Sequence, residues 1–260
     1  MLLVEPQKTQ WDLNFAVLGF PVRVHPFFWL MCLIMGGVSD AKFALLVILV
    51  FFVSILIHEL GHALMFRRFG QEAHIVLYGM GGLAIPGSSN PYASSYHPRS
   101  ERRTAQEQIY ISLAGPVAQL ILAGLLLVFV KMMGGNFVIV FIHKIIPLVV
   151  VAPSPRISEN LADLLFVALQ VNIGWAIINL LPVYPLDGGQ IAMQLFMLHD
   201  AYGGRLKALQ LSIGVAIAVV AFALIAMQRD GVFLALLFGS HAYSNYVMYT
   251  QFYGGGGGRW

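Results

Sequence analysis

The sequence predicts an all-α polytopic membrane protein of about six transmembrane helices, with one small membrane-associated β-hairpin. Three observations lead there. Apolar residues make up 58% of the 260 and charged residues only 10%, whereas a soluble domain carries roughly a quarter charged residues. The apolar residues gather in membrane-length runs, the clearest being Phe43 to Ile57. That run ends on His58-Glu59-Leu60-Gly61-His62, which on a helix sets two imidazoles one turn apart on a single face.

Residues 1–26 read as an interfacial lead-in, with Trp11, Phe15 and Phe20 suited to a headgroup boundary. Residues 27–252 read as one transmembrane core. Its first apolar segment, Phe27 to Val38, is short and crosses only at a tilt or with local thinning. From Ala41 the pattern predicts a helix to about Phe69, roughly 43 Å long at 1.5 Å per residue. Arg67 and Arg68 stop it, and with Arg99, Arg102 and Arg103 they mark the following loop as cytoplasmic. Within that loop, Ala73 to Pro86 carries β-branched and aromatic residues around Gly79-Met80-Gly81-Gly82, a hairpin signature placed after the motif-bearing helix. Gly87 to Pro98 reads as a flexible polar connection.

Thr104 and Glu107 form a capping box for the next helix, expected to reach about Lys131 with a kink or close helix contact at Gly115-Pro116. Phe137 to Ala152 is apolar but interrupted by His143-Lys144 and Pro147. Parity assigns it as a non-spanning piece, since otherwise the helix from Leu161 to Leu181 would end on the wrong side for its downstream residues to meet His58 and His62. Arg205 to Met227 and Gly231 to about Tyr249 read as the last two spans, joined outside at Arg229-Asp230. Both termini are then cytoplasmic in a multi-pass protein of the cell membrane. Residues 253–260 read as a disordered Gly-rich tail.

Several function classes are excluded at this level. A formal charge of +3 spread over loops leaves no nucleic-acid footprint. Cys32 is the single cysteine, so no intrachain disulfide forms. Met1 to Phe20 holds Glu5 and Asp12 and no continuous apolar core, which argues against a cleavable signal. What remains is the chemistry of the motif. His58 and His62 can ligate one Zn²⁺, with Glu59 beside the open coordination position and able to take a proton from water. Ionisable groups inside a membrane default to a functional reading, here a metalloprotease with its site within the bilayer. A catalytic zinc usually takes a third protein ligand. Asp163 falls one turn into a helix, where a first-turn role suffices. Asp187 follows two helix-breaking prolines, Pro182 and Pro185, and precedes Gly188-Gly189. It is the candidate third ligand, the alternative being an ordinary surface turn.

The pair His58-Glu59-x-x-His62 and Asn179-x-x-Pro182-x-x-Pro185-Leu186-Asp187-Gly188 resembles the site-2 protease family of intramembrane zinc metalloproteases. The Gly-Gly segment after the first motif and Ala114-Gly115-Pro116 also resemble it, and the likeness extends over roughly Phe27 to Leu195. The resemblance implies one zinc ion held by His58, His62 and Asp187, Glu59 as catalytic base, and Asn179 contacting the scissile peptide or its oxyanion. It implies a single-pass membrane-protein substrate, such as an anti-sigma factor or a membrane-tethered transcriptional regulator, cleaved in regulated intramembrane proteolysis. Where that family often carries Asn after Gly-Pro, this chain has Gln119. An unwound substrate has backbone groups to satisfy in lipid, and the Ile75 to Ala84 segment is expected to offer a strand edge for it. The competing readings are a prenyl-protein type of membrane protease, disfavoured because its third ligand is Glu, an inactive scaffold that binds transmembrane helices, and a metal transporter. Oligomeric state is not legible.

Overall fold

The computed structural model describes residues 5–36, 41–79, 81–87, 103–142 and 146–255. The chain forms two compact units. One comprises Val4–Arg102 and Ala114–Ile177, the other Arg103–Leu113 and Ile178–Trp260 together with Met1–Leu3.

The first unit begins with a hairpin, β1 (Leu13–Val17) and β2 (Phe20–Val24). Its two-residue turn, Leu18-Gly19, has positive φ at both positions, the backbone that matches the twist of hairpin strands. The residues expected as an interfacial lead-in are therefore a strand pair. Arg23 ties the preceding segment down, donating to Glu5 Oε1 at 2.7 Å and Asp12 Oδ2 at 2.9 Å. After α1 (Pro26–Gly36) and α2 (Ala41–Arg68) the chain returns as β3 (Ala73–Tyr78) and β4 (Gly81–Pro86). β3 pairs in parallel with β2, Val22 opposite Ile75 and Val24 opposite Leu77, and antiparallel with β4. The order β1-β2-β3-β4 leaves β4 as an edge and β3 internal. The expected strand edge, Ile75 to Ala84, thus divides: Ile75 and Leu77 are fully buried in the middle of the sheet, and only the β4 part is an edge.

α2 ends where its arginines suggest. Gly70, at φ 75°, donates to the Arg67 carbonyl and Gln71 to the Phe66 carbonyl, the paired bonds of a glycine-terminated helix. α3 (Ala105–Met132) presses closely on α2 at one point. A methyl on Gly61 would strike the Ala114 carbonyl, so the expected close contact beside Pro116 is present. The ambiguous segment after α3 is an antiparallel hairpin, β5 (Asn136–Ile142) with β6 (Ile146–Ala152). Its Val149 and Val151 bury against Ala123 and Val130 of α3 and against Leu165 and Leu169 of α4 (Glu159–Asn179). It is no helical span, as parity required.

In the second unit the Thr104–Glu107 capping box forms as expected, Thr104 N–H donating to Glu107 Oε2 at 2.9 Å and Glu107 N–H to Thr104 Oγ1 at 3.2 Å. A broken segment, 180–186, leads into α5 (Asp187–His199), α6 (Gly204–Phe222) and, after a π turn and a 3-10 turn, α7 (Val232–Gly255). Val183, Ala216 and Phe238 form the core between the break, α6 and α7.

Among the described residues, four helices are long and apolar enough to cross a membrane: Phe43–Arg68, Ala105–Met132, Glu159–Asn179 and Gly204–Met227. α1 is 11 residues, and α7 is long but diluted by Ser240, His241, Ser244 and Asn245. The fold is mostly helical with a small four-stranded sheet and a separate hairpin, a departure from the all-α expectation. The loop expected at Gly87 to Pro98 lies, beyond Gly87, outside the described residues, as do His143-Lys144 and residues 256–260 of the tail.

Candidate active site

Two turns of α2 carry the chemistry. His58, Glu59 and His62 are buried at 3%, 4% and 8% exposure, inside a stretch that qualifies as a membrane span. Helical spacing puts the two imidazoles on one face, and their Nε2 atoms lie 3.0 Å apart with the rings nearly perpendicular. Two nitrogens bound to one tetrahedral ion at 2.0–2.1 Å are separated by about 3.3 Å, so the pair needs little movement to share a metal.

The tautomer of His58 is set from α3. His58 Nδ1 lies 2.9 Å from Gln119 Oε1, and an amide oxygen only accepts, so Nδ1 carries the proton. The orientation of that amide is fixed in turn, because Gln119 Nε2 donates to the Ser54 carbonyl at 3.4 Å. Asn172 of α4 donates to Ser54 Oγ at 2.9 Å and to the Ala168 carbonyl at 2.8 Å. With Nδ1 protonated, the lone pair of His58 is on Nε2, the atom that faces His62. Holding a ligating imidazole by a hydrogen bond to its other nitrogen is how metal sites fix ring orientation and basicity.

Space around these groups is kept by missing side chains. A methyl on Gly115 would meet His62 Nε2 and come within 2.8 Å of His58 Nε2, and one on Gly82 of β4 would come within 2.6 Å of Glu59 Oε1. Gly115 thus leaves the ligand face open, and Gly82 brings an edge strand directly against the acid. Trp175 of α4 lies against Gly81 of the same strand. The donor set passes the chemical test for a metal: imidazole suits zinc, copper, iron and nickel, and here both donors are buried, share one helix face and have space kept open beside them by Gly115.

The other expected site residues belong to the second unit. Asn179 is the last residue of α4 and half-buried. Asp187 opens α5 with 7% exposure. A first-turn carboxylate is favoured by the helix dipole, and the double proline break before it is what starts a new helix there. Gln119, Ser54 and Asn172 are residues that sequence reasoning did not assign. Their signal in the sequence was polarity within apolar helices, where Ser, Asn and Gln side chains hydrogen-bond across helix interfaces.

Comparison with known proteins shows the family and the fold. The profile of peptidase family M50 matches residues 46–221. A zinc metalloprotease of Methanocaldococcus jannaschii is 23% identical over 219 residues, covering 82% of this chain and 54% of its own length. The chain therefore spans about half the length of that curated relative. The solved structure of a site-2 protease from the same organism superposes with a TM-score of 0.53 at 20% identity, covering 92% of this chain and 95% of that one; the likeness is one of fold. The family match takes in α2 from residue 46 onward, the whole of α3 and α4, and the break with Asp187, and the chain belongs to peptidase family M50.

Proposed function

We propose that this chain is a zinc-dependent intramembrane endopeptidase, with His58, His62 and Asp187 as ligands, Glu59 as general base and Asn179 as a hydrogen-bond donor to the scissile peptide. The metal is zinc, one ion per chain. Two buried imidazoles and one buried carboxylate are donors suited to it, and the matched relative is itself a zinc metalloprotease. The observation that carries the proposal is the locked His58 tautomer: a bare packing histidine has no need of a Gln119–Ser54 relay aiming its lone pair at a second imidazole.

Zinc, when bound, supplies Lewis acidity that lowers the pKa of water from 15.7 to about 7 and polarises a carbonyl. The remaining steps are those of the chain's own residues. Glu59 accepts a proton from the attacking water as its oxygen adds to the carbonyl carbon. When the C–N bond breaks, Glu59 returns that proton to the leaving amine. Asn179 donates to the carbonyl oxygen as negative charge develops on it. Substrate presentation is read from β4. A transmembrane helix hides its carbonyls, so it unwinds locally and its freed backbone groups pair with the edge of β4, which runs against Glu59 at Gly82.

The substrate class is a membrane-spanning protein cut in or near its transmembrane segment. A membrane-tethered regulator or an anti-sigma factor is the kind of signalling protein that fits, and regulated intramembrane proteolysis the process. The protein resides in the membrane, with both termini on the cytoplasmic side. Cleavage of a transmembrane substrate by purified protein tests the proposal, paired with zinc content. Glu59→Gln is expected to keep zinc and lose activity by at least about 10²-fold, the usual scale of general acid–base catalysis. Asp187→Asn is expected to weaken zinc. Undiminished cleavage by Glu59→Gln would remove the assigned base. Zinc binding without any proteolysis would favour a scaffold or a transporter.

A further inference from the structure

We propose that Ser212 of α6 and Asn245 of α7 are positioning residues that hold the Asp187 carboxylate in place by clamping the peptide groups of the break before it. The inference rests on Asp187 being a zinc ligand. Pro182 and Pro185 interrupt the helix, and in a membrane every backbone group they leave needs a partner. Within the segment, Val183 N–H donates to Leu181 O and Leu186 N–H to Val183 O, at 2.7 and 2.8 Å. Tyr184 is different, because both its peptide groups are held by distant side chains. Its N–H donates to Ser212 Oγ at 3.0 Å, and its carbonyl accepts from Asn245 Nδ2 at 2.5 Å. The next carbonyl, that of Pro185, accepts from Gln190 Nε2 at 3.2 Å, and Gln190 Oε1 accepts from Gln108 Nε2 at 2.8 Å.

Ser212 and Asn245 are 1% and 0% exposed, Ser212 among the apolar Ala208, Leu209 and Ala216 of α6 and Asn245 one turn after the buried His241 of α7. Burying such groups is costly unless they are paired; the partner they share is Tyr184, and Asn245 Nδ2 also donates to the His241 carbonyl of its own helix at 2.8 Å. The break transmits its position directly to the ligand. Gly188 and Gly189 form the first turn of α5, and a methyl on either would strike the backbone of Leu180, Leu181, Val183 or Tyr184. With backbone against backbone and no side chain between to absorb a shift, displacement of Tyr184 displaces the start of α5, which is Asp187.

The test uses the full chain in detergent or nanodiscs, reading zinc affinity by chelator competition and the melting temperature of the metal-free protein. Ser212→Ala and Asn245→Asp, which keeps the shape but lacks the N–H donor, are each expected to weaken zinc about 10-fold, the low end of the cost of losing a direct partner of a metal ligand, since the clamp acts through the backbone. Ser212→Thr is expected to retain near-parental affinity. Ser240→Ala, on α7 but bonded only to Leu237 of its own helix, is the control that leaves zinc unchanged. In an Asp187→Asn background the clamp substitutions are expected to cause no further loss. Zinc affinity within about twofold of the parent in both clamp variants, or a loss that adds fully to that of Asp187→Asn, overturns the positioning role. Should Asn245→Asp fail to fold, Ser212→Ala against Ser212→Thr decides the same question, since they differ by the hydroxyl. Unaltered zinc binding in Asp187→Asn alone would instead overturn the ligand reading, and the positioning role with it.

Discussion

At the residue scale the site is decided by which atom of each imidazole carries a proton. His58 Nδ1–H is committed to Gln119, so Gln119 is expected to contribute to metal binding without touching the metal. Gln119→Leu fills similar volume and leaves Nδ1 with no acceptor. It is expected to weaken zinc about 10- to 100-fold, measured by chelator competition, while Gln119→Glu, which keeps an acceptor, retains more affinity than the leucine variant. Equal affinity in Gln119→Leu and the parent would show that ring orientation comes from packing alone. The pair of histidines was legible in the sequence because both lie within one helical turn, where spacing alone fixes the face. The Gln119 contact was not, being 61 residues distant in the chain; the same residue stood out only as a departure from the Asn frequent in the family.

At the element scale, β4 and the α5–α6 junction make separate predictions. Gly87 N–H donates to the Glu72 carbonyl, so 72 and 87 are a hydrogen-bonded pair of the β3–β4 ladder. Alternation then makes His74–Ile85 and Val76–Leu83 bonded pairs and turns the N–H groups of Gly82 and Ala84 outward. Pro86 falls in the same outward set, where the missing donor costs the ladder nothing. Ala84→Pro therefore removes an edge donor without cutting into the sheet. It is expected to lower kcat/KM for a transmembrane substrate about 3- to 10-fold, the worth of one net hydrogen bond. An unchanged value in a stable protein would rule out strand addition at that edge.

Between α5 and α6, Asp200 accepts from Lys207 Nζ and from the Gly203 and Tyr202 N–H groups. The Lys207 hydrogen bond above all, then that from Gly203, holds its carboxyl down to about 2 from an ordinary 3.8. A folded-state pKa below the unfolded one contributes stability at pH values above about 4, and that contribution is lost as pH falls toward 2. The melting temperature of the parent is expected to drop more steeply over that range than that of Asp200→Asn. Parallel curves would mean that the junction does not depend on the charge.

At the scale of the whole molecule, four helices among the described residues have the length and apolarity to span a bilayer, and the arginines that end α2 make a testable expectation about its orientation. By the positive-inside bias the α2–β3 loop is expected on the cytoplasmic side. In a Cys32→Ser background, Gln71→Cys is expected to react with a membrane-impermeant maleimide in inside-out vesicles and not in right-side-out ones. The reverse pattern would invert the topology. The short α1 and the polar face of α7 show why counting spans from composition is harder than finding the motif. Apolar runs that pack on other helices and apolar runs that face lipid look alike in one dimension. Likewise the β-branched run from Phe137 to Ala152 is compatible with a buried helix or a hairpin, and periodicity does not separate the two.

The sequence by itself determined what is local: membrane class from charge content, the paired imidazoles and their acid, the Thr104 cap, the end of α2 at its arginines, and the break that introduces Asp187. Apart from composition, each depends on residues within a turn or two of one another, where backbone geometry is fixed by spacing. Only the tertiary structure decided that residues 13–24 form a hairpin whose second strand pairs with β3, that Gln119 and Ser54 choose the tautomer of His58, and that Ser212 and Asn245 hold Tyr184. Those are contacts across tens of residues between side chains whose polarity shows in the sequence and whose partners do not. A buried hydrogen bond is specified by where two elements meet, and that is settled by packing the whole chain.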